Sequence, residues 1–306
     1  MSKTMISGQT QMVESKDEEV GFQNKHKGFV QIKKTMTFEA KKNKGKFLSL
    51  LVIVFGLYLL SMVMQNLQQD QGAPIPENPA EYFQSYLNLI DTIILIIAVS
   101  YAGSIIVEDF EQQTGNLLFP KITKDRLLFG RFLMRYLYAI LNLMLFYVLV
   151  GVSTYRKYNE AIPIEAYQSF GWAVLYLFTL MCFSALFSSI MKKAATSIIT
   201  TVLLVLLVFQ LATMILAFTG SEVEPFFFIT YYAKIITKSF AMPEERFIEA
   251  SFGPGPGGPG ETTVDTGNTY FTWTTPSYTG ALVGMIVYSV ICIGIAYYLF
   301  KKKQNQ

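Results

Sequence analysis

The chain has 306 residues, of which 52% are hydrophobic and only 15% are charged. Soluble proteins carry about 25% charged residues, so this composition excludes an ordinary soluble fold. The net charge of +3 gives no bulk electrostatic field that would attract nucleic acid. A single histidine, His26, and two cysteines inside apolar runs, Cys182 and Cys292, exclude a zinc cluster and a disulfide framework. The sequence therefore indicates an integral membrane protein.

Six apolar runs are long enough and poor enough in charge to cross a bilayer as helices, which takes about 20 residues each. In chain order they are residues 47–64, 86–107, 132–151, 170–191, 194–219 and 278–300. Because their number is even, both termini lie on the same side of the membrane. We predict an all-α integral membrane protein with six transmembrane helices, whose transmembrane domain covers residues 47–300.

The segment before the first span divides into two parts. Residues 1–28 combine Gly, Ser, Gln and mixed charges with few apolar anchors, which predicts a disordered cytoplasmic tail. In residues 29–46, apolar side chains recur at three- and four-residue steps, which is typical of an amphipathic helix on the membrane surface. These apolar positions are Phe29, Ile32, Met36 and Ala40. The intervening lysines also fit a polybasic segment attracted to anionic lipid, and both interpretations remain open.

Lysine and arginine are distributed unequally across the predicted membrane. With both termini in the cytoplasm, the inner side carries 20 of these residues and the outer side carries 5. The positive-inside rule favours this orientation, with residues 301–306 as a second cytoplasmic tail. The polar first twenty residues contain no cleavable signal peptide, and no N-x-[ST] sequon occurs. We therefore expect a multi-pass protein of a prokaryotic plasma membrane.

The connection before the last span, residues 220–277, is predicted to lie outside the cell. Residues 225–240 are too short and too charged to span, which predicts a re-entrant helix in the outer leaflet. Residues 253–260, GPGPGGPG, have the composition of a linker.

The sequence contains no catalytic constellation. Gly255, Gly257 and Gly260 match G-x-G-x-x-G by letter, but the prolines among them exclude the strand and helix that phosphate binding needs. No G-x-x-x-x-G-K-[ST] sequence occurs, so the chain is not an ATPase by itself. With one histidine, there is no metal site or Ser–His pair in the spans. We predict no enzyme activity, no metal site and no bound cofactor.

Asp91 is the one acid inside a predicted span, five residues from its outer end. An ionisable residue in a membrane is a candidate functional residue by default. Near the outer end it reaches water or a polar partner, so a structural role and a contact with cargo both remain open. Gly280 and Gly284 form a G-x-x-x-G pair at the start of span six, a spacing that permits close helix approach.

The most specific pattern lies in the connection between spans two and three, residues 108–135. Its start is rich in acidic residues and its end in basic residues. The helix-breaking residues at Thr114–Gly115 and Pro120 divide it into short helical pieces. Leu117 and Leu118 lie between the breakers and give an apolar knob. Such a short, half-apolar helix suits docking into a groove of a soluble partner. An ordinary loop with positive-inside charge gives the same composition, and the residues alone leave the choice open.

These residues resemble a motif of ABC type-2 (ABC-2) transporter permease subunits. Such subunits show an acid, Ser/Thr-Gly-Thr, leucine-rich positions, a proline and a Leu-Leu-x-Gly-Lys start to the third span. The chain has Glu111-Gln-Gln-Thr114-Gly115-Asn116-Leu117-Leu118, then Pro120, then Leu127-Leu128-Phe129-Gly130-Arg131. Asn116 and Arg131 depart from the usual Thr and Lys. The overall layout, from basic amphipathic helix to re-entrant segment, is similar over nearly the whole chain.

The resemblance implies that the chain is half of the membrane channel of an ATP-driven exporter. It would pair with a second permease subunit, as a homodimer or heterodimer, and with two separate ATPase subunits that bind ATP and Mg. In this family, the inner helix of the span two–three connection contacts the ATPase. The implied coupling residues are Glu111, Thr114, Gly115, Leu117, Leu118 and Pro120.

The resemblance also implies a translocation path at the dimer seam, lined by spans two and five. The implied path residues are Asp91, Gln210 and Thr213. The apolar character of span five favours a lipidic or amphipathic cargo, although lipid-facing packing gives the same composition. Arg131 and Arg135 are expected to anchor the third span at the inner headgroups.

Two other classes of function share part of this layout. A gradient-driven secondary transporter needs ionisable groups or broken helices near the middle of the membrane, often in repeated halves. A membrane scaffold or assembly protein shares the topology but has no transport path and needs no ATPase.

Overall fold

The structure is a computed structural model, and it describes residues 3–72, 76–111, 124–218, 223–243, 245–251 and 269–303, with residues 3–28 described by their backbone only. Within these ranges, six helical segments are long and apolar enough to cross a membrane, as the sequence predicts. They are Phe29–Asp70, Pro79–Ala102, Arg126–Tyr158, Ile164–Ile190, Ala194–Leu216 and Tyr278–Lys302. The fold is that of an all-α integral membrane protein.

The first helix is much longer than the first predicted span. Helix α1 runs over Lys3–Asp70 without interruption, so it includes residues 3–28, for which the sequence predicts disorder. The helix also continues through residue 46, where the sequence predicts that the interfacial helix ends and the first span begins. No proline occurs along the helix to interrupt it. The face of α1 that packs on the bundle is polar at Glu39 and Asn43 and apolar further on, at Leu50 and Val54.

The second span consists of two helices in series. Helix α2 (Pro79–Tyr86) leads through a 3₁₀ turn (Leu87–Leu89) into α3 (Ile90–Ala102). Helix α2 starts at Pro79 because Asn78 accepts a hydrogen bond from the backbone N–H of Glu81, at 2.8 Å.

Asp91 lies further from the start of its helical segment than the sequence predicts. The span begins at Pro79 rather than at residue 86, and Asp91 is twelve residues along its 24. At 1.5 Å per residue, this is about 18 Å from Pro79 along the helix axis. The sequence places Asp91 five residues from the outer end of its span, whereas the helical segment begins seven residues before residue 86.

The remaining spans surround this one. A short helix α4 (Val107–Glu111) follows span two, and α5 (Lys124–Tyr158) and α6 (Ile164–Ile190) form spans three and four. Span five consists of α7 (Ala194–Leu203), a π-helical turn (Leu204–Val208) and α8 (Phe209–Phe218). The connection between spans five and six, which we call the outer segment after the side that the sequence predicts for it (residues 220–277), contains α9 (Ile229–Lys238). The sixth span is α10 (Tyr278–Lys303).

Spans two and four form the centre of the bundle. Helix α3 packs against α5, α6 and α7, while α1 lies along α5 and α10 lies along α6. Spans one, five and six are largely exposed and present big apolar side chains such as Val52, Leu203 and Val290 to their surroundings. Such surfaces suit contact with lipid. A helix can face lipid because its backbone N–H and C=O groups pair with one another and need no water.

The outer segment is more ordered than the sequence suggests. The sequence predicts a re-entrant helix over residues 225–240, and α9 forms within this range, buried against α6 and α10. Strands β1 (Phe247–Ser251) and β2 (Thr269–Trp273), which the sequence does not predict, pair antiparallel. The predicted linker, residues 253–260, belongs to the chain that joins these two strands and lies outside the described residues.

The G-x-x-x-G pair of span six packs against this outer segment. A Cβ added at Gly280 would lie 3.1 Å from the Phe226 ring, and one added at Gly284 would overlap the ring of Tyr232. The Tyr232 hydroxyl in turn donates a hydrogen bond to the Phe226 carbonyl, at 2.7 Å. The two glycines therefore make room for aromatic side chains that hold the outer segment on span six.

Candidate functional site

Glu111, the last residue of α4, attaches the start of the span two–three connection to span five. Its carboxylate accepts a hydrogen bond from the backbone N–H of Ala194, at 2.9 Å. Ala194 is the first residue of α7, so the carboxylate satisfies a free N–H and lies at the positive end of the helix dipole. The other predicted coupling residues lie outside the described residues: Thr114, Gly115, Leu117, Leu118 and Pro120.

Glu108 lies one turn earlier and pairs with two basic side chains. Its carboxylate oxygens lie 2.6 Å from Lys42 Nζ and 3.0 Å from Arg135 Nη2. Burial opposes ionisation of this carboxyl, but the hydrogen bond from Lys42 and the charge of Arg135 outweigh burial and lower the pKa of Glu108 to about 2. Glu108 is therefore ionised at neutral pH, and it ties α4 to both α1 and α5.

A second, fully buried carboxylate completes this group. Glu39 of α1 has no exposed surface and lies between two arginines of α5, 3.1 Å from Arg131 Nε and 3.2 Å from Arg135 Nε. Arg135 also donates to the carbonyl of Tyr101 at the end of α3, at 3.0 Å. We call this group the charged cluster. Its members are Glu39, Lys42, Glu108, Arg131 and Arg135.

The charged cluster corrects the role that the sequence assigns to Arg131 and Arg135. Headgroup anchoring requires exposed guanidinium groups, but these side chains are only 3% and 1% exposed. Both arginine side chains point into the protein because they pair with the buried carboxylate of Glu39, and a buried charge needs a charged or hydrogen-bonding partner. Glu39 is also the residue that sequence reasoning missed. An acid among the lysines of residues 29–46 was the available signal.

The end of span two is held by spans four and five. The hydroxyl oxygen of Ser188 on α6 accepts hydrogen bonds from the backbone N–H groups of Ile106 and Val107, at 3.0 and 3.1 Å. A Cβ added at Gly103 would lie 2.8 Å from the Ile198 side chain and 3.4 Å from the Ser184 hydroxyl. Only glycine permits this approach of α3 to α6 and α7 without a shift of the neighbours.

The far end of the connection is held against α1. A Cβ added at Gly130 would lie 3.1 Å from that of Thr35, so α5 and α1 are close here. Arg126 donates a hydrogen bond to the side-chain oxygen of Gln31, at 2.9 Å. The described residues on both sides of residues 112–123 are thus fixed to spans one, three, four and five.

The predicted path residues lie apart from this cluster. In span two, the exposed residues are Glu81, Asn88 and Asp91, all polar and all on one helix face by their spacing. In span five, Gln210 is exposed, whereas the Thr213 hydroxyl donates to the Phe209 carbonyl of its own helix, at 3.0 Å. No hydrogen bond joins Asp91 to Gln210 in the described part of the chain.

The arrangement of six spans around these anchored ends agrees with a comparison to protein families. The family model described as "ABC-2 family transporter protein" matches residues 4–304. The chain belongs to the ABC-2 transporter family. A comparison with curated proteins gives no match.

Family membership confirms the resemblance seen in the sequence. An ABC-2 permease is the membrane component of a transporter and associates with ABC ATPase subunits. In this ABC-2 permease, the charged cluster flanks the connection whose motif carries the resemblance, so it lies between the transmembrane spans and the region that the resemblance assigns to ATPase contact.

Proposed function

We propose that this chain forms half of the membrane channel of an ATP-binding-cassette exporter. It pairs with a second permease, identical or related, and with two separate ATPase subunits that bind ATP and Mg. Both termini face the cytoplasm of a prokaryotic cell. The observation that carries this proposal is the anchoring of both ends of the span two–three connection to four spans.

The proposed coupling step is mechanical. The ATPase docks on residues 112–123, with Thr114, Gly115, Leu117, Leu118 and Pro120 as the contact residues. When the ATPases close on ATP, the connection moves. Glu111 then carries the movement to span five, and Glu108 carries it to span three and α1. The ion pairs of Glu108 with Lys42 and Arg135 link the start of the connection to α1 and α5, so that a movement of the connection pulls on both helices.

The proposed translocation path follows the polar face of span two. A face of three exposed polar residues, among them a carboxylate near mid-span, is unsuited to lipid. It suits a water-accessible seam with the second permease. The exposed apolar surface of span five supports a lipidic or amphipathic cargo.

The experiment that tests the proposal is affinity purification of the full chain from its native cell in mild detergent. We expect a P-loop ATPase to co-purify in stoichiometric amount, together with ATP hydrolysis. Replacing Gly115 by Leu should reduce recovery of the ATPase. The matched control is Gly56→Leu in α1, where an added Cβ meets nothing within 4 Å. Reproducible absence of an ATPase would contradict the proposal.

A further inference from the structure

Asp91 is a carboxylate in an unusual position. It lies in the first turn of α3, directly after the 3₁₀ turn and near the middle of span two. Charged residues at this depth face the protein interior or a water-filled cavity rather than lipid, because hydrocarbon does not solvate them. Asp91 is exposed and shares its face with Asn88 and Glu81, so the described structure leaves it open rather than packed away.

Polar groups of three other elements surround Asp91. It lies close enough to Tyr147 of α5, Tyr176 of α6 and Lys234 of α9 to interact electrostatically with each. The two tyrosines are buried, and the Tyr147 hydroxyl shares a 2.9 Å hydrogen bond with Ser169. Asp91 therefore lies near buried polar groups of spans three and four and near Lys234 of α9.

The nearby cation does not neutralise Asp91 by direct contact. The Lys234 ammonium donates to the carbonyl of Trp273, at 2.9 Å, and lies 5.6 Å from the centre of the Tyr231 ring. Burial lowers the pKa of Lys234, and the charge of Asp91 acts in the opposite direction. Among the described residues, no hydrogen bond or ion pair within 4 Å reaches the Asp91 carboxylate. Lys234 is engaged elsewhere, and the carboxylate keeps its capacity to accept donors.

This inference rests on the proposed transport function and names the cargo class. We propose that Asp91 binds a cationic group of the cargo, so that the cargo is a cationic amphiphile. The carboxylate pairs with the positive charge of the cargo. The apolar chain of the cargo lies in the hydrocarbon, which the exposed apolar side chains of the spans face. An anionic cargo is disfavoured, because the available group is the carboxylate and the lysine already has partners.

The test measures binding of a fluorescent probe to the full chain, with the subunits that purify with it, in nanodiscs of neutral phosphatidylcholine. The cationic probe is a dansyl group on a ten-carbon chain that ends in trimethylammonium. The matched probe has the same chain and ends in a hydroxyl. We expect the cationic probe to bind more tightly than the neutral one. Asp91→Asn should weaken cationic binding by about 10-fold and leave neutral binding unchanged.

Two control variants make the result specific. Glu160→Gln removes an exposed acid from the connection after span three, which is not part of the polar face of span two, and should leave both affinities unchanged. Asp91→Glu keeps the charge and should retain most of the preference for the cationic probe. Equal binding of the two probes to the unmodified protein, or equal cationic binding to the unmodified protein and Asp91→Asn, would overturn the proposal.

The same preparation separates this proposal from the broader one. If the ATPase co-purifies with the unmodified protein but that protein shows no preference for the cationic probe, only the cargo class is wrong. If no ATPase co-purifies, the transport proposal fails whatever the probes show.

Discussion

The carboxylate of Glu111 caps the first residue of span five, with 2.9 Å between its Oε2 atom and the backbone nitrogen of Ala194. These residues are 83 positions apart in the chain. The contact joins the start of the span two–three connection to a helix that the family resemblance places at the translocation path. It gives the connection a direct route to span five.

The first prediction concerns Arg135. Replacing it with Gln leaves Glu39 buried with one fewer partner and removes one partner of Glu108. Breaking a buried ion pair on one side costs about 3–5 kcal/mol. We expect the apparent melting temperature of the purified protein to fall by several degrees. The control is Arg156→Gln, an exposed arginine on the same helix, which should change little. Equal melting temperatures for the two variants would contradict the role of the charged cluster.

The second prediction concerns pH. The pKa of Glu108 is lowered from its ordinary value of 4.5 to about 2, so its ion pairs stabilise the fold fully above 4.5. That stabilisation is lost as the pH falls from 4.5 towards 2. A Glu108→Gln variant lacks it at every pH. We expect the difference in melting temperature between the unmodified protein and this variant to shrink over that range. A constant difference would show that the stability does not depend on ionisation of Glu108.

The third prediction concerns the close approach at Gly103. An alanine there places a methyl group 2.8 Å from Ile198 and 2.6 Å from the Val99 carbonyl oxygen, which forces a shift. Overpacking of this kind costs about 1–3 kcal/mol. Gly171 of α6 is the matched control, because an added Cβ there meets nothing within 4 Å. Gly171→Ala should be neutral or slightly stabilising, since alanine favours helix. Thermal unfolding in detergent compares the two, and a stable Gly103→Ala protein would refute the packing argument.

The sequence predicts the spans well because their signal is local. A long apolar run without charge crosses the bilayer whatever the rest of the chain does. The last span, for example, is predicted at residues 278–300 and is found at Tyr278–Lys303. Where a span carries polar residues, this signal weakens. Helix α2 contains Glu81, Gln84 and Ser85, so composition alone places the start of span two seven residues too late.

The charged cluster could not be predicted because its contacts are distant in sequence. Arg135 lies 96 residues from Glu39. In sequence, an arginine at the start of a span looks like a headgroup anchor. Its actual role depends on where α1 packs against α5, and the close approach at Gly130 is only one part of that long contact. The pairing of β1 with β2 is missed for a similar reason, because each strand has only five residues and no local partner.

The most direct test of the account asks whether ATP binding moves span five through Glu111. A cysteine replaces the exposed Gln210, while the described native cysteines, Cys182 and Cys292, are buried and should label slowly. Labelling of the complex with a membrane-impermeant maleimide is measured with and without Mg-ATP and vanadate. We predict that trapping changes the labelling rate, and that Glu111→Ala abolishes the change while the ATPase still co-purifies.

The control is Glu165→Ala, which removes an acid from the first turn of α6 and should preserve the change. If trapping alters the labelling rate equally in the Glu111→Ala and Glu165→Ala proteins, the link between the connection and span five does not transmit the ATPase movement. The central claim would then be contradicted.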